Sequence, residues 1–232
     1  LKDETMDGFI KSMRNIAEEY FNADSLDKKK KIKYKFDSLQ ARIINESDFL
    51  TSDDKKKFLS WNPFENKSTD FFDSEIQFGT KFFDIVIGNP PYGAKISAED
   101  KKYFKENYKY ANQGSLDTYK IFIEKGFNLL DKNGNLNFIV PMSVTSGKSN
   151  IALHKMILDN CKMIRVSSYN DRPSQVFNNA HQKISIIGFL RTDTKCKELL
   201  TTKINRRYSS QSIDSVIKNL NFVNSLDFIQ PE

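Results

Sequence analysis

Glycine is scarce and scattered in this sequence: nine residues in 232, at positions 8, 79, 88, 93, 114, 126, 134, 147 and 188. No two stand one or two residues apart. A loop that cradles a nucleotide phosphate needs that spacing, because only glycine lets successive backbone amides close on the ligand, so such a loop is excluded. Two cysteines (Cys161, Cys196) and two histidines (His154, His181) are too few for a disulfide framework or a recognisable zinc site, and no metal is expected. No apolar run approaches the roughly 18–20 residues of a membrane span, and the first residues do not carry the pattern of a secretory leader. A large excess of one charge is also missing. Of the net charge of +6, four units fall within residues 61–192, which is compatible with phosphate contacts but does not by itself point to them. The runs Lys28–Lys31 and Lys55–Lys57 each follow acids (Asp24 and Asp27; Asp53 and Asp54). That order suits the start of a helix, so both runs read as solvated helix faces.

What is present is ordinary globular material, 38% hydrophobic and 28% charged, in a length that suggests one core plus an attachment. A chain starting at Leu1 reads as a piece of something longer. Residues 5–50 carry apolar positions at a helical period, with Ser25 or Asp27 as a cap, and predict a helical hairpin over about 8–50. A short helix is expected at Asp53–Leu59, after which Trp61-Asn62-Pro63-Phe64 and the phenylalanines at 71, 72, 78, 82 and 83 suggest a buried, loop-like approach to a sheet. Phe82–Gly88 is a nearly continuous apolar run, the mark of a strand buried on both faces. Then come a helix over Leu116–Leu130 closed by Asp131–Gly134, a strand over Asn135–Pro141, a helix over Ser149–Asn160, and strands at Met163–Tyr169 and Lys183–Leu190. The alternation indicates an α/β sheet. The connection Asn170–Gln182 is too short for a crossover helix, so the last two strands can pair antiparallel. Two more helices are expected, at about 195–206 and 211–224.

Asn89-Pro90-Pro91-Tyr92 follows directly on the first apolar strand, at the edge of the sheet where open α/β folds bind ligands. Its two prolines fix φ and remove two donors, and Asn before Pro is held extended. The segment is stiff and offers an amide oxygen, a carbonyl and an aromatic plane. An amine conjugated to a flat heteroaromatic ring is a poor nucleophile, because its lone pair is spread into the ring. Two acceptors, the Asn89 side-chain oxygen and the Pro90 carbonyl, can bond its two hydrogens and aim the lone pair at an electrophile. Tyr92 can stack on the ring, worth about 1–3 kcal/mol. No titrating base is needed; the gain is preorganisation and placement.

Phe83–Gly93, centred on Asn89-Pro90-Pro91-Tyr92, resembles the catalytic motif of adenine-N6 DNA methyltransferases of the gamma arrangement. The stretch from Trp61 through Phe64, Phe71-Phe72-Asp73 and Phe78-Gly79 resembles the fused restriction–modification enzymes of type IIG, in which a helical insertion like residues 5–59 precedes the motif. Leu116-Asp117-Thr118-Tyr119 through Phe122 is similar to the family's next helix, Gly134–Pro141 to its next strand, and Gln175-Val176-Phe177 to a segment supplying a second aromatic clamp. The resemblance implies S-adenosylmethionine as methyl donor, double-stranded DNA as partner, a flipped adenine and a cytoplasmic enzyme. It assigns Asn89 and Pro90 to the amine, Tyr92 to stacking, with Pro91 beside them, and Phe177 to the base's other side, an ordinary core phenylalanine being the alternative. Tyr119 and Phe122 read as helix core, His154 and His181 as surface or packing residues. Arg172, close to Phe177, is a candidate for a phosphate contact, with an ordinary surface arginine as the alternative.

The family's donor motif is absent, as are the acidic residues that hold the donor's ribose and adenine, so no cofactor-binding residue is named. Ser47–Leu50 has a passing likeness to a later donor motif but falls inside the helical insertion. The expected architecture is therefore α/β: the C-terminal half of a Rossmann-like class I methyltransferase sheet with an N-terminal helical insertion. Residues 1–60 form the insertion, 61–192 the catalytic half, and 193–232 a helical connector toward a missing target-recognition domain. The piece alone is expected to be inactive and to expose apolar surface along the first strand's free edge. Two other readings remain open: a methyltransferase acting on protein glutamine or ribosomal RNA, and a non-catalytic DNA-binding or assembly module.

Overall fold

The structure, a computed structural model, describes residues 6–46, 51–65, 72–177 and 181–228. Packing divides the chain into two compact units, Leu1–Lys81 and Phe82–Glu232.

The first unit contains α1 (Met6–Phe21), α2 (Leu26–Glu46), α3 (Ser52–Ser60) and the short α4 (Ser74–Phe78). In α2 the buried positions are Ile32, Phe36, Gln40 and Ile43, one stripe at steps of three and four. They meet Phe9, Met13 and Ile16 of α1, with Phe58 and Trp61 completing the cluster. The expected hairpin is thus present. Gln40 is buried, and its amide donates to the carbonyls of Phe58 (2.8 Å) and Trp61 (2.9 Å), tying α2 to the end of α3. Trp61 and Phe64 do not lead into a sheet; they pack in this helical core, Trp61 edge-on to Phe36 at 5.5 Å and Phe64 4.2 Å from Tyr20. The aromatic stretch beyond is not buried as expected, since Phe72, Phe78 and Phe82 are exposed. Lys28 pairs with Asp24 (2.9 Å) and Lys57 with Asp53 (2.8 Å) on exposed helix surface, the solvated faces their order predicts. Phe71 and Ser47–Leu50 lie outside the described residues.

The second unit is built on a six-stranded mixed sheet of order β1-β2-β4-β3-β5-β6. Its strands are β1 (Phe83–Gly88), β2 (Leu130–Pro141), β3 (Cys161–Tyr169), β4 (Ile184–Arg191), β5 (Glu198–Thr201) and β6 (Val223–Asn224). The helices are α5 (Ala98–Asn107), α6 (Thr118–Leu129), α7 (Ile151–Asn160) and α8 (Ile213–Lys218). β1 runs parallel to β2, and β4 is antiparallel to both β2 and β3. The mixed α/β class and the antiparallel last pair are as expected. The turn at Asp131–Gly134 is an excursion within β2: Phe83 pairs with Leu130 but Ile85 with Asn135, and Asn133 takes a positive φ of 67°.

Helices α6 and α7 share one face of the sheet, where Tyr119, Ile123, Phe127, Leu153 and Met156 pack on Leu136, Phe138, Ile187 and Phe189. A close approach makes this possible. A Cβ on Gly126 would lie 2.7 Å from Leu136, 3.1 Å from Phe138 and 3.4 Å from Val86. At the far end of α6, Arg191 donates to the carbonyls of Phe127 (3.0 Å) and Leu130, with its guanidinium 4.7 Å from the Phe127 ring. Both contacts fall at the junction of α6 and β2.

β1 departs from expectation. It is an edge strand, not one buried on both faces: Ile85 is 65% and Ile87 79% exposed. These side chains stand opposite Val86, on the face that α6 does not cover. The C-terminal helices are corrected too. Residues 198–201 form β5, paired with Met163–Val166 of β3, and the second helix shrinks to Ile213–Lys218 before β6. A free strand edge supplies hydrogen bonds that outweigh a local helical preference.

Candidate active site

Asn89–Tyr92 leave the carboxyl end of β1. Pro90 is buried, Asn89 and Pro91 are exposed, and Tyr92 is partly exposed with its body against the core of the second unit. The next residue, Gly93, takes φ +66° with open space where a Cβ would sit. Glycine is needed there for the backbone, not for room.

Two bonds reach this segment from the start of α6. Thr118 Oγ1 donates to the Pro91 carbonyl at 2.6 Å, and the Gly93 amide donates to Asp117 Oδ1 at 3.1 Å. They bracket Tyr92. Among the described residues, none bonds the side-chain amide of Asn89, and the residue is exposed.

The same helix organises the loop that leads to it. Lys120 is 1% exposed, and its ammonium donates to the carbonyls of Gln113 (2.7 Å), Ser115 (3.0 Å) and Ser149 (2.7 Å). Burial pulls this group below the ordinary lysine value, with the Asp117 carboxylate opposing. One turn on, Glu124 is 4% exposed and accepts from the amides of Lys109 (2.9 Å), Tyr110 (3.0 Å) and Ala111 (2.6 Å). Burying a charge is tolerable only with such partners. Tyr119 is buried, its hydroxyl on Asn150 Oδ1 at 3.2 Å, while Asn150 donates to the Ser143 carbonyl at 2.9 Å.

The expected site residues are not all brought together. Phe177 is half-buried in the β3–β4 connection, and among the described residues it makes no ring contact with Tyr92. That connection leaves the same end of the sheet as Asn89, since Tyr169 pairs with Ile184 and Pro141 with Ile184. β4 stands two strand spacings from β1, roughly 10 Å. Arg172 is exposed beside it, its carbonyl bonded by Asn170 Nδ2 at 3.2 Å. His154 packs its ring nitrogen on the Val144 carbonyl, and exposed His181 meets Gln175. Tyr119 is core as expected, but Phe122 is 46% exposed and is not. Asp117, Thr118, Lys120 and Glu124 carried no site expectation. A signal existed in Asp117, a capping residue type directly before the helix. Among the described residues no three His, Cys, Asp or Glu side chains are placed to hold a metal ion, and no helix is long and apolar enough to cross a membrane.

A stiff aromatic tetrapeptide thus sits at the carboxyl edge of an α/β sheet, held by the start of α6. Residues 9–177 match the model of the Eco57I restriction-modification methylase family, and the chain belongs to that family. It is 28% identical over 153 residues to the type II restriction enzyme and methyltransferase RM.Eco57I of Escherichia coli, covering 61% of this chain and 14% of that protein. It is 41% identical over 69 residues to the type II methyltransferase M.TthHB8I of Thermus thermophilus, covering 25% of this chain and 16% of that one. Among solved structures, the M protein of the type I restriction enzyme EcoKI aligns with a TM-score of 0.45 at 11% identity, over 90% of this chain and 44% of its own. The chain spans between 9% and 16% of the length of four curated relatives it matches.

Proposed function

We propose that this chain is the base-binding part of a site-specific DNA adenine-N6 methyltransferase in a restriction–modification enzyme. The observation that carries the reading is the Asn89 amide. The residue is exposed, its side chain is bonded by no described residue, and it opens a segment that two prolines stiffen at the carboxyl end of β1. Asn89 Oδ1 and the Pro90 carbonyl accept the two hydrogens of the exocyclic amine and direct its lone pair outward. Tyr92 offers the exposed part of its ring to the flipped adenine, offsetting part of the few kcal/mol spent on unstacking. Phe177, on a loop from the same edge of the sheet, is the proposed second wall.

S-adenosylmethionine is the donor this reading requires, and this chain's residues do not fit it. No two of the chain's glycines are spaced for a donor loop. The exposed Ile85 and Ile87 face of β1, the edge strand among the described strands, is the proposed seat of the donor-binding part of the parent protein, and the separate chain is proposed to be inactive.

Replacing Asn89 by Ala in the parent protein is expected to cut methylation by about 10²–10³-fold, the usual effect of removing one preorganised polar group, while sparing DNA binding. Methylation that survives the change would refute the site. Methyl transfer to a release factor or ribosomal RNA, but not to plasmid DNA, would replace the substrate. Calorimetry of the separate chain is expected to show no S-adenosylmethionine binding, and clear micromolar binding would overturn that part.

A further inference from the structure

We propose that Asp117 and Thr118 are positioning residues that latch the Asn89–Tyr92 segment in its reactive geometry; this rests on the function proposed above. Asp117 occupies the N-cap of α6 with extended backbone (φ −137°, ψ 146°) yet makes no capping bond to its own helix. Aspartate there ordinarily bonds the second or third helical amide. Here Oδ1 is turned outward to the Gly93 amide, with a second contact of 3.3 Å from Thr118 Oγ1. Thr118, the first helical residue, gives its hydroxyl to Pro91 at 2.6 Å. One side chain therefore holds the residue before Tyr92 and the other the residue after it.

The proline pair makes this latch necessary. Pro90 and Pro91 have no N–H, so the segment has few donors with which to fix itself, and its placement depends on groups outside it. The helix that supplies them is anchored in turn. Lys120 ties α6 to three carbonyls and Glu124 ties it to three amides, both from buried positions. A latch on a loose element would transmit nothing; on α6 it transmits the position of the sheet and its loops.

The consequence is kinetic. An error of about 1 Å in a reacting group's placement can cost on the order of 10²-fold in rate. In the parent protein, Thr118→Val keeps the side chain's shape and removes the donor. It is expected to slow single-turnover methylation by about 10–100-fold, from the same misplacement, with DNA affinity and melting temperature little changed. Thr118→Ser restores the hydroxyl and is expected to recover the rate. Asp117→Asn, which keeps an acceptor oxygen, is expected to retain more activity than Asp117→Ala. Fluorescence of 2-aminopurine at the target position supplies a signature that a purely structural role would not move. The base should still leave the stack in Thr118→Val, but its emission should change as Tyr92 loses its fixed orientation. A wild-type rate in Thr118→Val, or a Thr118→Ser that fails to rescue, overturns the latch. If Asn89→Ala also stays active, the proposed function has failed; if only Asn89→Ala is dead, the latch alone has.

Discussion

Lys120 and Glu124 sit one turn apart on a helix whose sequence marks them for solvent, yet both are buried. Backbone groups of the loop before α6, from residues 109–115, and of Ser149 ahead of α7 solvate them in place of water. No helical period can reveal that, because the partners lie outside the helix. Cys161 is the opposite case, an apolar-looking residue that behaves as one. It is fully buried, and burial pushes its thiol from 9.0 up to about 12, with Cys196 adding to the rise. In the unfolded chain the thiol ionises near its ordinary value. The stability held by keeping Cys161 protonated is therefore fully present below pH 9 and lost as the pH climbs toward 12. The Cys161→Ala variant should lose less stability over that interval than the wild type, as read by denaturant midpoints. Thiol labelling at pH 8 should leave Cys161 unmodified until the protein unfolds; rapid reaction of both cysteines in the folded state would contradict its burial.

Among elements, those with a strong local signal were legible: the hairpin of α1 and α2, the apolar β1, and the alternation from α6 to β4. The position of Asn89–Tyr92 at the carboxyl end of β1 was legible for the same reason, since an apolar strand and the residues that close it act over a short range. α5 was missed although its start is written in sequence: Ser97 accepts from the Asp100 amide at 3.0 Å, with Glu99 and Asp100 in the first turn. It buries no side chain, so there was no apolar stripe to find. Residues 198–201 and 223–224 fall where the sequence predicts helix yet form β5 and β6, because short edge strands depend on what they pair with, not on their own pattern. The seating of α6 on β1 and β2 rests on Gly126. A larger residue there must displace Leu136 and Phe138. Gly126→Val should destabilise by about 1–3 kcal/mol, the usual range for overpacking, as measured by urea unfolding. An unchanged midpoint would mean that α6 does not approach so closely.

At the scale of the whole molecule, β1 is the edge of the second unit's sheet among the described strands, and it leaves Ile85 and Ile87 exposed. Such an edge invites pairing or association. The separate chain is expected to self-associate as its concentration rises in sedimentation experiments. Ile85→Thr combined with Ile87→Lys should suppress this without lowering the melting temperature, because neither side chain is in the core. A chain monomeric at every concentration would show that this surface has no tendency to be covered. The fold class, the order of the central elements and the chemistry offered by Asn89, Pro90 and Tyr92 were determined by sequence alone, because apolar period, turn residues and proline stiffness act over short range. The tertiary structure alone decided the place of β4 between β2 and β3, the exposure of one face of β1, the burial of Lys120 and Glu124, and the reach of Thr118 to a carbonyl 27 residues away. Pairing and burial are set by groups distant in sequence, and only the folded chain brings those groups within bonding distance.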